Sequence, residues 1–128
     1  MQVADRIDAR ADAALRDLAT LDKAAPGNAE LAGTLADIRA MALLGKYYAA
    51  KIRGATSLAR FRAGRDVAEQ REAIRHLTLA QGFWNDYTSR TGARYRNPLW
   101  TNRVGFVDWR ELDAVVARDI ALVSAPLP

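Results

Sequence analysis

Residues 29–63 read AELAGTLADIRAMALLGKYYAAKIRGATSLARFRA, a stretch without proline. A hydrophobic stripe passes through Leu31, Leu35, Ile38, Ala42, Tyr48, Ala55, Leu58 or Ala59, and Phe61 or Arg62, with Leu44 and Ile52 beside it. Most steps are of three or four residues, with wider ones from Ala42 to Tyr48 and from Tyr48 to Ala55, a spacing that reads as one side of an α-helix. Unbroken, such a helix runs about 50 Å at ~1.5 Å per residue, which is long for a small domain. Gly45 and Gly54 interrupt the run; glycine weakens a helix by about 1 kcal/mol relative to alanine and lets another backbone come close. The stretch therefore predicts two consecutive helices or one bent helix.

Upstream, Val3, Ile7, Ala11, Leu15, Leu18 and Leu21 form a second stripe on a helix of about residues 3–22. It ends at Pro26-Gly27, and Asn28 suits the N-cap of the long helix. Downstream, Ala63-Gly64-Arg65 closes the long element. Asp66 with Glu69 makes a capping-box pattern for a helix over about 67–90, whose stripe is Ala73, Ile74, Leu77, Ala80, Trp84 and Tyr87. Asp108 and Glu111 repeat the pattern ahead of a last helix, 109–123, with Leu112, Val115, Val116 and Ile120 on its apolar side. Ser124 to Pro128 reads as an extended tail. Between the last two helices, Thr91 to Val107 carries two glycines, a proline and three aromatics; a connection of this length is longer than a helical bundle needs. The fold class expected is all-α: an antiparallel helical bundle of four to five helices with one long irregular aromatic loop, residues 1–128 forming a single domain.

Composition narrows the functions. In 128 residues, half are apolar and 27% charged, which excludes wholesale disorder. No cysteine is present, so disulfides, thiolate metal sites and cysteine nucleophiles are excluded. No apolar run reaches the roughly 20 residues of a membrane span, and the first residues lack a signal-peptide layout, so the chain reads as soluble with no membrane partner. The net charge of +4 rests mainly on arginines interspersed with Asp and Glu. That pattern favours a solvated, salt-bridged surface over a nucleic-acid footprint.

The single histidine, His76, lies beside an apolar stripe and reads as a packing or surface residue, so no metal site is expected. The carboxylates Asp66, Glu69, Glu72, Asp108 and Glu111 sit at helix starts, where they cap backbone N–H groups or complement the positive helix end. No phosphate-binding glycine loop or calcium loop occurs, and no cofactor is called for. The chain is expected to be non-catalytic by itself.

The aromatics are more informative. Trp84, Phe106 and Trp109 read as core, anchoring the loop from below. Tyr95 and Trp100 are interleaved with Arg94, Arg96, Asn97, Asn102 and Arg103. A flat ring beside bidentate donors and amides suits a sugar ring, a nucleobase or a partner protein's anchor residue.

Two segments, Leu44-Gly45-Lys46-Tyr47-Tyr48-Ala49-Ala50-Lys51-Ile52-Arg53-Gly54-Ala55 and Tyr95-Arg96-Asn97-Pro98 through Asn102-Arg103-Val104-Gly105-Phe106-Val107-Asp108-Trp109, resemble the C-terminal helical segments of large bacterial polysaccharide-degrading, glycoside-hydrolase-like enzymes. The resemblance covers about residues 40–122 and brings no established binding residues. It implies an accessory module of an exported enzyme, extracellular or periplasmic, whose partners are polysaccharide or the parent enzyme's catalytic domain. For glycan, the residues singled out are Trp100 and Tyr95 as stacking platforms, with Arg96, Asn102 and Arg103 as hydrogen-bonding flanks. Tyr47, Lys51 and Trp109 are second choices. The alternative is a helical protein-interaction or dimerisation module without ligand, the homodimer using the long helix or the first stripe.

Overall fold

The structure, a computed structural model, describes residues 2–24 and 26–125. Four helices account for most of it: α1 (Gln2–Leu21), α2 (Ala29–Gly64), α3 (Val67–Arg94) and α4 (Trp109–Ser124). A hairpin of two three-residue strands, β1 (Leu99–Thr101) and β2 (Gly105–Val107), lies between α3 and α4. The chain is all-α, as its periodicity predicts. The tail expected over Pro126, Leu127 and Pro128 lies outside the described residues.

The helix starts are where local chemistry puts them. Asn28, Asp66 and Asp108 all adopt extended backbone and accept hydrogen bonds from the N–H groups of Leu31, Ala68 and Arg110, at 2.9, 2.8 and 2.9 Å. Each satisfies one of the orphan donors of a helix N-terminus.

Helix α2 is neither broken nor divided; it runs uninterrupted for 36 residues. The two glycines mark close approaches instead. A Cβ on Gly45 would stand 3.4 Å from Cβ of Ala11 in α1, and one on Gly54 would stand 2.7 Å from Cγ of Leu77 in α3. Helix α2 is therefore gripped from two sides.

This sandwich also shifts the stripe. Ile38, Tyr48 and Ala55 are exposed, whereas Ala40, Leu43, Tyr47, Ala50, Gly54, Ser57 and Phe61 are buried at alternating steps of three and four. Tyr47 and Ala50 meet Ala80 and Trp84 of α3 and Val116 of α4 in the main core. A second cluster joins Ala73 and Leu77 to Val123. The other buried row on α2, Leu35, Ala42 and Ala49, is spaced by seven, as are Ala4, Ala11 and Leu18 on α1. Ion pairs flank that seam and run antiparallel: Arg53 with Asp5 and Asp8, Lys46 with Asp8 and Asp12, and Arg39 with Asp22. On α1 the burial follows Ala4, Ala11 and Leu18, while Val3 and Leu21 at the ends of the expected stripe are exposed.

Helix α4 packs antiparallel on α3, from Trp84 Nε1 donating to Asp113 at one end to Gln70 Nε2 donating to the carbonyl of Val123 at the other. Lys51 of α2 reaches Asp119 of α4 at 2.9 Å.

Candidate functional site

Helix α3 continues four residues beyond the expected end at residue 90. Thr91 is buried, and its hydroxyl donates to the carbonyl of Tyr87 at 2.8 Å, so the helix carries Tyr95 to its C-cap position. What remains of the irregular loop is short and ordered by side chains. Asn97 Nδ2 donates to the Asp108 carboxylate at 2.6 Å, and Asn97 Oδ1 accepts from the Trp109 N–H at 3.2 Å. One amide thus ties the hairpin's entry strand to the start of α4. The bond from Asn97, with the backbone N–H of Arg110, holds the Asp108 carboxyl below its ordinary range.

The hairpin closes through residues 102–104. Gly105 has φ +75°, a left-handed conformation that glycine adopts without strain at the end of a three-residue hairpin loop. The Val104 N–H donates to the Thr101 hydroxyl at 3.3 Å. The register pairs Trp100 directly with Phe106. Directly paired residues share a face of the sheet, and both are exposed, at 59% and 76%. Phe106 is therefore not core, contrary to expectation; its strand is too short to bury both faces, and the register turns it outward. Arg96, Pro98, Leu99, Trp100 and Phe106 line one open depression of about 420 Å³.

Behind the hairpin lies a larger groove of about 500 Å³. Helix α2 contributes Asp37, Ala40, Met41 and Leu44, α3 contributes Tyr87 and Thr91, and Tyr95, Arg96, Leu99 and Trp109 close its end. Its wall continues a ladder of rings that passes through the core. Tyr48, Tyr47, Trp84, Tyr87, Trp109 and Tyr95 follow one another with centroids 5.1, 5.2, 5.5, 6.2 and 6.5 Å apart. Burial raises the Tyr87 hydroxyl pKa above its usual value.

The residues singled out in the sequence separate into three groups. Trp100, Arg96, Asn102 and Arg103 stand exposed on or beside the hairpin. Tyr95 and Trp109 meet edge to face at the groove; the Tyr95 hydroxyl donates to Asp37, which fixes the ring. Arg94 lies over Tyr95 and donates to the carbonyl of Gly33 at 3.3 Å, a carbonyl of α2 and not of its own helix end. Tyr47 and Lys51 belong elsewhere. Tyr47 is only 6% exposed and offers no ring face to a polymer. Lys51 donates to Tyr47 Oη and pairs with Asp119; burial lowers its pKa, but these partners outweigh that and raise it. Sequence reasoning missed Phe106 as an exposed ring, and Met41, Asp37 and Leu99 as groove walls. Met41 lies off the hydrophobic stripe, and that was the one available signal.

Among the described residues, no group of three or more His, Asp or Glu side chains is arranged to hold a metal ion. No helix among them is long and apolar enough to cross a membrane. The helix-start carboxylates hold structural partners: Asp66 and Asp108 cap N–H groups, Glu69 pairs with Arg60 and Glu72 with Arg75. His76 packs half-buried beside Arg75, its Nδ1 buried without a partner among the described residues. No family model, curated protein or solved structure matches the chain.

Proposed function

We propose that this chain is a non-catalytic accessory module of a carbohydrate-active enzyme, a glycoside hydrolase, and that it holds polysaccharide on the outer face of the hairpin. The observation that carries the reading is the Trp100–Phe106 pair: two large rings, directly cross-strand, both facing solvent and bordered by Arg96. Leaving such rings exposed forgoes about 25 cal/mol for every Å² of apolar surface that could be buried. An exposed apolar patch rimmed by polar residues is the form of an interaction site. The C–H face of a pyranose packs against an aromatic ring, and arginine and asparagine flanks donate to its hydroxyls. The resemblance in residues 40–122 supplies the setting of a polysaccharide-degrading enzyme.

The test is retention of the isolated chain on a panel of insoluble and soluble polysaccharides, by pull-down and affinity electrophoresis, beside Trp100→Ala. Retention should fall at least tenfold in the variant while its far-UV circular dichroism and melting stay unchanged. A loss of helical signal would make Trp100 part of the folding core. No retention on any glycan would sink the reading and leave the alternative, a protein-interaction or dimerisation module. The groove around Met41, which is 73% exposed, would then be the surface to test by mass measurement against concentration.

A further inference from the structure

From Arg94 to Val107 the chain carries three arginines and no Asp or Glu. Elsewhere arginines alternate with acids, and several are consumed by them, as in the Arg53 pairs with Asp5 and Asp8 and the Arg75 pair with Glu72. Arg94 is likewise taken, 3.5 Å from Asp37. Arg96 and Arg103 have no ion-pair or hydrogen-bond partner among the described residues. The acid nearest to Arg103 in sequence, Asp108, is occupied by Asn97 Nδ2 and the Arg110 N–H. Arg96 borders the same depression as Trp100 and Phe106, and Arg103 sits in the turn that joins their strands. The stacking platform is thus bordered by the Arg96 guanidinium, which has unused donors and no carboxylate paired to it among the described residues, while Arg103 stands at the turn.

We infer, on the basis of the glycan-binding reading, that the polymer held there is an acidic polysaccharide built of uronic acid residues. The ring of one uronic acid stacks on Trp100, and its carboxylate takes the two-pronged hydrogen bond of Arg96. Arg103, at the turn, meets a carboxylate further along the polymer. The chemistry favours a carboxylate over a neutral hydroxyl for two reasons. A planar guanidinium matches the two oxygens of a carboxylate, and a charge-assisted pair is roughly twice as strong as a neutral hydrogen bond. The requirement for the ring separates this from simple attraction of a polyanion, which salt screens over about 10 Å at 0.1 M and which does not depend on Trp100.

The experiment is affinity electrophoresis of the full chain in gels containing polygalacturonate, alginate, the carboxyl-reduced form of each, or dextran sulfate. Wild type, Trp100→Ala, Arg96→Gln and Arg96→Lys are compared at equal helical signal. Retention is expected on at least one polyuronate and at least tenfold less on its carboxyl-reduced form. Trp100→Ala and Arg96→Gln should each weaken it at least tenfold, while Arg96→Lys, which keeps the charge without the fork, recovers only part. Equal retention on a polyuronate and its reduced form, lost in Trp100→Ala but not in Arg96→Gln, would overturn the acidic preference and leave the glycan reading standing. Equal retention on dextran sulfate, indifferent to Trp100→Ala, would reduce the site to unspecific charge. Absence of retention on all of these, with retention on another neutral polysaccharide, would remove the uronate and keep the platform; absence on every glycan would remove both.

Discussion

Toward α1, helix α2 presents Leu35, Ala42, Gly45 and Ala49 flanked by Lys46 and Arg53; toward α3 it presents Tyr47, Ala50 and Gly54, met by Trp84, Ala80 and Leu77. The first seam brings small residues together and sets its register with ion pairs. The second sets its register with large rings and leaves its polar groups few. Lys46 shows how the first seam works: burial lowers its pKa, but bonds to Asp12 and Asp8 more than offset this and hold the ammonium charged. Because both seams belong to one helix, the same 36 residues must be apolar on two sides and charged between them. That explains why a single stripe did not describe α2.

The comparison predicts unequal responses to substitution. Trp84→Ala should be the most damaging change, costing about 3–5 kcal/mol in urea unfolding, because it empties the core between α2, α3 and α4. It also removes the Nε1 bond to Asp113. A loss under about 1 kcal/mol would show that the α3 seam does not depend on its rings.

The glycine pair gives a sharper contrast. Alanine at Gly54 would drive Cβ to 2.7 Å from Leu77 Cγ and 2.9 Å from its Cδ2, and should destabilise by about 1–3 kcal/mol. Alanine at Gly45 meets Ala11 Cβ at 3.4 Å and Ile7 Cγ2 at 3.7 Å, close to ordinary contact. There the helix-propensity gain of up to about 1 kcal/mol should leave the protein unchanged or slightly more stable. Paired thermal melts decide the matter, and equal damage from both substitutions would make the two seams equally tight.

Acid titration is expected to give the smallest effects, in two steps at different pH. Burial lowers the His76 pKa below 6.5, aided by the charge of Arg75 and opposed by Glu72; Arg53 and Asp8 face the ring from α2 and α1. The unfolded chain therefore binds the proton first, so stability is complete above about pH 6.5 and declines as pH falls toward the lowered value. Burial raises the Asp8 pKa, but bonds from Lys46 and Arg53 outweigh this and hold it below 3.8. Its contribution is present above 3.8 and is lost as pH falls through the lowered value. Melting temperatures from pH 8 to 3 should show the upper decline flattened in His76→Gln and the lower one reduced in Asp8→Asn. An unchanged upper decline in His76→Gln would rule the histidine out as its source.

The hairpin stands apart from both seams. Its two strands are too short to show a period of two, and the pairing of Trp100 with Phe106 depends on a turn placed by Gly105. From the sequence, Trp100 and Tyr95 stood out only because arginines and amides surrounded them. The Phe106 side of the platform was hidden, since a large aromatic in an irregular segment reads as its buried anchor.

What the sequence determined by itself is the set of interactions that act within a few residues: the helical state of the segments α1 to α4, their Asn28, Asp66 and Asp108 caps, and the stripe of α3 from Ala73 through Trp84, though not that residues 29–64 form one uninterrupted helix. These need only neighbours three or four positions away. Tertiary structure alone decided that Tyr47 is buried while its neighbour Tyr48 is 51% exposed, that Gly45 and Gly54 serve two different partners, and that Phe106 turns to solvent. Adjacent residues on a helix point roughly 100° apart. Which of two adjacent tyrosines meets another helix and which meets water depends on the segments that pack there, and those lie far away along the chain.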